Sequence, residues 1–259
     1  MLLEGKVALI TGGARGLGKA FAEELLKNKV KVCICDLNSN TGEKTIQEWK
    51  PRYGNNAMFL RCDVTNHEQF EDVFKLTIAR FRRLDIVVNN AGVLNEGQSS
   101  WRTTIMVNVI GVIEGTKLAE KYMTKQQDGG GGVVLNVAST AGLTPVFFMP
   151  VYTASKYSVV GFTRSVAMNA DIFSTGMRYV CLCPGFTETK MLVEGVNEEG
   201  IAGNDKAQEI LQSAGTNTVE SVVQAFMQLL TTENNNGGVM AVTKQKGIQY
   251  HGRRRTNKL

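Results

Sequence analysis

Short apolar runs rich in β-branched residues alternate with longer stretches of helical periodicity along nearly the whole chain. The runs are Val7–Ile10, Val30–Cys35, Met58–Arg61, Ile86–Val88, Val133–Val137, Tyr179–Cys183 and Val239–Val242. Several are apolar at every position, the pattern of parallel strands buried on both faces. Between the first two, Leu17, Phe21 and Leu25 recur at every fourth position with Ala20 and Leu26 beside them, which marks one face of an amphipathic helix. This alternation predicts a doubly wound α/β fold with helices on both sides of one sheet. The stretch Asp128-Gly129-Gly130-Gly131-Gly132 reads as a turn into the fifth run. The connection from Pro184 to about Thr218 exceeds ordinary loop length, so residues 186–215 are expected to form a lid over a substrate.

Composition narrows this picture only modestly. A chain of 259 residues with 43% hydrophobic and 20% charged positions suits one globular domain, expected over residues 1–250. No apolar run approaches the length of a membrane span. The start, Met1-Leu2-Leu3-Glu4-Gly5-Lys6, lacks a secretory pattern, so the cytoplasm is the expected location. Of the net charge of +5, four units sit on Arg253, Arg254, Arg255 and Lys258. The basicity is thus expected to be a disordered tail over 251–259, with no nucleic-acid partner. The final Asn257-Lys258-Leu259 departs from the peroxisomal Ser-Lys-Leu at its first position. The five cysteines, Cys33, Cys35, Cys62, Cys181 and Cys183, form no C-x-x-C pair and fall in or beside strand-like runs, as buried free thiols do. With only His67 and His251, a histidine-based metal site is not expected.

The chemistry lies where the runs stop. The first ends in Thr11-Gly12-Gly13-Ala14-Arg15-Gly16-Leu17-Gly18, the second in Asp36 and the third in Asp63. The fourth ends in Asn89-Asn90-Ala91-Gly92, the fifth in Ser139 and the sixth in Pro184-Gly185. Ligands of an open α/β sheet bind at the carboxyl ends of its strands. Gly12, Gly16 and Gly18 let the backbone turn sharply and approach a pyrophosphate, while the following helix presents N–H donors. Asp36 stands 18 residues beyond Gly18, placed to accept from ribose hydroxyls and to repel a 2′-phosphate. Arg15 favours a phosphorylated ribose, but neutral Leu37 adds no second cation. NAD is therefore expected over NADP, with an NADPH-dependent carbonyl reductase as the alternative.

Tyr152 and Lys156 are four residues apart and share a helix face. A free tyrosine, with a pKa near 10, is a poor base at neutral pH. The Lys156 ammonium and an oxidised nicotinamide are expected to draw it down. Ser139 is placed to donate to a substrate oxygen while Tyr152 exchanges its proton.

Together, TGxxxGxG, NNAG, a serine ending the fifth run, YxxxK and a following PG resemble the short-chain dehydrogenase/reductase family, from about Gly5 to Val242. The resemblance implies one Rossmann-type domain with seven parallel strands, assembled as a homodimer or homotetramer. It implies Tyr152 as catalytic acid/base, Ser139 as substrate-orienting hydroxyl, Lys156 on the nicotinamide ribose, and Asn108 supporting a water relay. It further implies cofactor contacts from Gly12, Arg15, Gly16, Leu17 and Gly18, from Asp36 and Leu37, and from Cys62, Asp63 and Val64 at the adenine. Asn90, Ala91 and Gly92 would form a wall, and Pro184, Gly185, Phe186, Thr187 and Thr189 would reach the nicotinamide. Within the family, Pro150-Val151-Tyr152, Val160–Ser165 and Cys183–Phe186 are similar to the prostaglandin-oxidising members. Those members carry a glutamine pair where this chain has Phe148 and Met149, so the substrate stays open among lipophilic secondary alcohols and ketones. Val146, Phe147, Phe148 and Met149 on one side, and Met191, Leu192 and Ile201 on the other, are expected as an apolar wall. A cofactor-binding sensor without chemistry is the reading from another class, disfavoured by intact Asn108, Ser139, Tyr152 and Lys156.

Overall fold

Strand β1 (Val7–Thr11) is buried along its whole length, and its side chains alternate between two apolar layers. Ala8 and Ile10 enter one layer, Val7 and Leu9 the other. A strand with two dry faces needs helices on both, and the chain supplies them. The structure is a computed structural model and describes residues 1–125, 129–169, 172–189 and 204–252. Seven further strands among the described residues complete one sheet: β2 (Lys31–Asp36), β3 (Ala57–Arg61), β4 (Ile86–Asn89), β5 (Gly132–Val137), β6 (Met177–Pro184), β7 (Val239–Thr243) and β8 (Gly247–Tyr250). Their order is β3-β2-β1-β4-β5-β6-β7-β8. The winding reverses between β1 and β4, the place where such sheets open a crevice at their carboxyl edge.

Helices α1 (Gly16–Lys27) and α2 (Ser39–Tyr53) follow β1 and β2. Helix α3 (His67–Phe81) follows β3, and α4 (Trp101–Ile105) runs through a π-helical turn (Met106–Ile110) into α5 (Gly111–Met123). Helix α6 (Pro150–Val166), the short α7 (Ile172–Thr175), α8 (Asp205–Ala214) and α9 (Val219–Thr231) complete the described helices. Helices α1, α2 and α9 cover one face, where Phe21 and Phe226 stack at 4.3 Å between ring centroids. Helices α3, α5 and α6 cover the other.

The seven predicted strands are present and parallel, each within two residues of its run. The expected count of seven is corrected to eight. Strand β8 returns antiparallel along β7, pairing Tyr250 with Met240. Its four residues alternate exposed and half-buried at a sheet edge, so they form no apolar run. The boundary of the basic tail also moves, because the His251 N–H donates to Val239 and its carbonyl accepts from Arg164. Residues 253–259, like Asp128, lie outside the described residues. All five cysteines are buried and free, and burial pushes the Cys33 thiol up to about 12, so it is a neutral filler. No described helix is long and apolar enough to cross a membrane.

The Phe21–Phe226 stack joins the first helix to the last across β1. Phe226→Ala is expected to cost about 3–5 kcal/mol, the range for deleting a fully buried aromatic ring. The urea midpoint measures it, and a loss below about 1 kcal/mol would show that this layer repacks freely.

Candidate active site

The loop between β1 and α1 is shaped by missing side chains. Gly12 has φ of +61°, and a Cβ there would lie 2.9 Å from the Ala91 Cα. A Cβ on Gly18 would lie 2.2 Å from the Gly12 carbonyl oxygen, so helix and loop touch backbone to backbone. Gly16, with φ of +56°, has nothing within 4 Å on that side. Helix α1 has no side-chain cap at Arg15 and no acidic residue in its first turn. Its N–H donors and positive dipole end are therefore suited to an anion such as a pyrophosphate. The loop is pinned from β4: the Asn90 amide donates to the carbonyls of Thr11 and Gly12 at 2.9 and 3.1 Å. The Asn90 side chain thus serves the loop itself.

Asp36 stands at the end of β2 beside this loop. One carboxylate oxygen accepts from the Ala14 N–H at 3.2 Å and the other from Asn38 at 3.1 Å. A carboxylate has about four acceptor positions, so both oxygens retain capacity for a ribose diol. Next to it Leu37 is exposed, an apolar side chain beside the expected nucleoside. Cys62 and Val64 are buried, and Asp63 closes its own turn by accepting from the Thr65 N–H and hydroxyl at 2.9 and 2.7 Å. Thr187 and the segment after β6 are held by Asn217, whose amide donates to Phe186 and Val242. Thr189 sits just beyond, its N–H on the Thr187 carbonyl. Met191, Leu192 and Ile201, expected in the lid, lie outside the described residues.

Ser139, Tyr152 and Lys156 converge at the carboxyl ends of β5 and β6. Ser139 accepts from the Ala141 N–H and donates to the Pro184 carbonyl at 3.3 Å. Lys156 reaches down α6 to donate to the Val137 carbonyl at 3.1 Å, with its ammonium 5.4 Å from the centre of the Tyr152 ring. Asn108 is fully buried and joins three elements. It accepts from the Val93 N–H at 2.9 Å, and donates to the Val93 carbonyl at 2.9 Å and to Ser155 at 3.1 Å. Ser155 in turn donates to the Tyr152 carbonyl. A Cβ on Gly92 would sit 3.3 Å from Asn108 Oδ1 and 3.5 Å from Lys156 Nζ, so a side chain there would crowd the Asn108 amide.

Burial pushes the Tyr152 phenol up to about 12, with the Ser139 hydroxyl acting in the opposite direction. The Lys156 ammonium lies toward the ring and is held on Val137, and its own burial lowers Lys156 to about 8. The apolar wall is revised. Phe148 is half-buried and Phe147 exposed, meeting edge to face at 5.2 Å, whereas Met149 is buried at the start of α6.

Sequence reasoning missed a buried polar ladder behind the site. Asn89 donates to Asn136 at 2.8 Å, and Asn136 donates to Thr163 of α6 at 2.9 Å. Asn136 interrupts the apolar run Val133–Val137, and a lone amide in a dry strand requires a partner. That was its available signal.

A sheet that reverses its winding beside a glycine-rich loop, with a tyrosine and a lysine one helical turn apart, defines a nucleotide-dependent dehydrogenase. The chain belongs to the short-chain dehydrogenase family, whose model matches residues 6–200. It is 40% identical to 15-hydroxyprostaglandin dehydrogenase (NAD(+)) of Rattus norvegicus, over 96% of this chain and 95% of that protein. It is 35% identical to 3beta-hydroxysteroid dehydrogenase 2 of Eggerthella lenta, over 80% of each. A crystal structure of a short-chain dehydrogenase/reductase from Burkholderia phymatum in complex with NAD superposes with a TM-score of 0.78 at 25% identity, covering 88% of this chain and 86% of that one.

Because a Cβ on Gly18 must displace the backbone of Gly12, Gly18→Ala is expected to open the loop. Dinucleotide affinity should fall at least about tenfold, about 1.4 kcal/mol, while the far end of the sheet is unaffected. Isothermal titration with NAD checks this, and unchanged affinity would show that the close approach is dispensable.

Proposed function

We propose that this chain oxidises a lipophilic secondary alcohol to its ketone, and catalyses the reverse reduction, by hydride exchange with NAD at the Ser139–Tyr152–Lys156 cluster. The observation that carries the reading is the placement of the Tyr152 phenol, against the Ser139 hydroxyl and over the Lys156 ammonium, at the sheet edge that also bears the glycine loop. When bound, NAD supplies the hydride acceptor and, in its oxidised form, a positive charge beside the phenol. The residues of the chain do the rest. Ser139 donates to the substrate oxygen and fixes its position. Tyr152 takes the hydroxyl proton in oxidation and returns it in reduction. Lys156 adds positive charge from below, and Asn108 holds the turn of α6 between them. Asp36 selects the unphosphorylated ribose, because a carboxylate beside a 2′-phosphate is repelled.

The substrate class follows from the walls. Phe147 and Phe148 border the entrance, and burying hydrocarbon against them gains roughly 25 cal/mol per Å². The named relatives that act on a prostaglandin and a steroid support an extended lipophilic alcohol. A homodimer is the proposed assembly, supported by Met106, Ile110 and Tyr157, which remain exposed on the neighbouring helical segments.

Tyr152→Phe removes only the hydroxyl, so NAD affinity should persist while turnover falls at least about a hundredfold. Stopped-flow absorbance of the reduced nicotinamide provides the measurement, and near-normal turnover would exclude Tyr152 as the base. In a homologous series of secondary alcohols, kcat/KM should rise with chain length. A flat series, or a sugar as the best substrate, would refute the apolar pocket.

A further inference from the structure

Helix α6 carries both Tyr152 and Lys156, so its first turn sets the position of the phenol. An α-helix begins with N–H donors that have no partner within the helix. Here Pro150 occupies the first turn and has no N–H, and Met149 before it provides no side-chain cap. The Thr153 N–H is taken by the Met149 carbonyl at 2.9 Å. Two donors remain, those of Val151 and Tyr152, and one distant side chain takes both. The Glu96 carboxylate accepts from Val151 at 3.0 Å and from Tyr152 at 2.7 Å. Glu96 lies on the segment after β4, and that segment is itself clamped. Asn108 binds the N–H and carbonyl of Val93, and the Thr104 hydroxyl binds those of Asn95 at 3.0 and 2.8 Å. Thr104 and Asn108 are four residues apart on one helical segment, while Val93 and Asn95 are two apart on an extended one. Glu96 follows directly and is delivered to the end of α6.

We propose that Glu96 is a positioning residue for the reaction, fixing the first turn of α6 and setting the charge felt by the Tyr152 phenol. This rests on the reading of Tyr152 as the acid/base. A carboxylate at this helix end offsets the positive pole of the dipole, which otherwise favours the phenolate. The other groups facing Tyr152 are the Ser139 hydroxyl from the turn after β5, the Cys183 thiol from β6 and Lys156 from α6 itself. None is changed by substitution at position 96.

Glu96→Gln, Glu96→Ala and Glu96→Asp are to be compared with the unaltered full chain and with Tyr152→Phe, using NAD and a long-chain secondary alcohol. For Glu96→Gln, the acid limb of the kcat profile should move to lower pH by about half a unit or more, the scale of one charge removed about 10 Å away in a partly wet medium. Glu96→Asp, which keeps the charge, should leave that limb in place. Glu96→Ala should lower kcat at least about tenfold per NAD-binding site, with NAD affinity within about twofold. If the Ala variant does not fold, the near-isosteric Gln variant decides through its pH limb. Unaltered kcat and an unmoved limb in Gln and Ala, beside an inactive Tyr152→Phe, overturn the role of Glu96 alone. So does a lowered melting temperature with normal turnover. An active Tyr152→Phe instead removes the reading on which the proposal rests.

Discussion

The buried amide of Asn108 holds the site together because burial leaves it no alternative. A primary amide shut away from water costs about 1–3 kcal/mol for each unmet hydrogen bond, so its partners must stay within reach. Those partners are the backbone of Val93 on one side and Ser155 on the other. The segment after β4 and the catalytic helix α6 are thereby tied to the same side chain. The π-helical turn at Met106–Ile110 sits where this amide is delivered, and extra-residue turns of that kind commonly re-aim side chains at functional sites. Loss of the amide frees both neighbours at once, and with them the distance between Gly92 and Lys156.

The same dryness sets the electrostatics. Raising the Tyr152 phenol from 10.0 to about 12 disfavours its charged form by about 3 kcal/mol, and lowering Lys156 from 10.5 to about 8 is a penalty of similar size. Their effects on stability have opposite pH dependence. The neutral phenol contributes stability that is present below pH 10 and lost as pH rises toward 12. The buried lysine costs most below about pH 8, and that cost falls as pH rises from about 8 to 10.5, where the folded chain has released its proton and the unfolded chain has not. Burial by itself therefore disfavours the charged forms of both Tyr152 and Lys156. Positive charge added at the site moves the phenol toward the range in which it can accept a proton.

What was legible in the sequence is what local constraint writes there. The strands of the parallel sheet announce themselves because both faces are dry, and Gly12, Gly16 and Gly18 because backbone has to pass close to backbone. Strand β8 was not legible, since its residues at an open edge have only one face to bury and span only Gly247–Tyr250. Nor were the ties made by Asn136, Asn217, Thr104 and Glu96. Glu96 meets Tyr152 across 56 residues, and Asn217 meets Phe186 across 31. Nothing in the residues next to these side chains names the distant partner. Spacing placed Lys156 on the face of Tyr152, where its ammonium lies 5.4 Å from the ring centre, but the carbonyl that also holds that ammonium belongs to β5 and was not legible.

The two halves of the cleft are built with unequal rigidity, and this bears on how substrate choice is set. On the cofactor side, Thr11 accepts from the N–H groups of Asn90 and Ala91 at 3.0 and 2.9 Å, and Asn217 bonds across to β7. Each tie is buried or partly so, and each fails if its side chain changes. On the substrate side, the described contacts of Phe147 are an edge-to-face meeting with Phe148 and the Lys206 ammonium at 5.8 Å from its ring. Such contacts are worth about 0.5–1.5 kcal/mol each and are indifferent to exact shape. Substitution of the Phe147 ring is therefore expected to leave the hydrogen bonds of Ser139 and Lys156 in place. Phe148, half-buried against the exposed Phe147, is open to changes of that kind, whereas Met149 is buried at the start of α6 and is not.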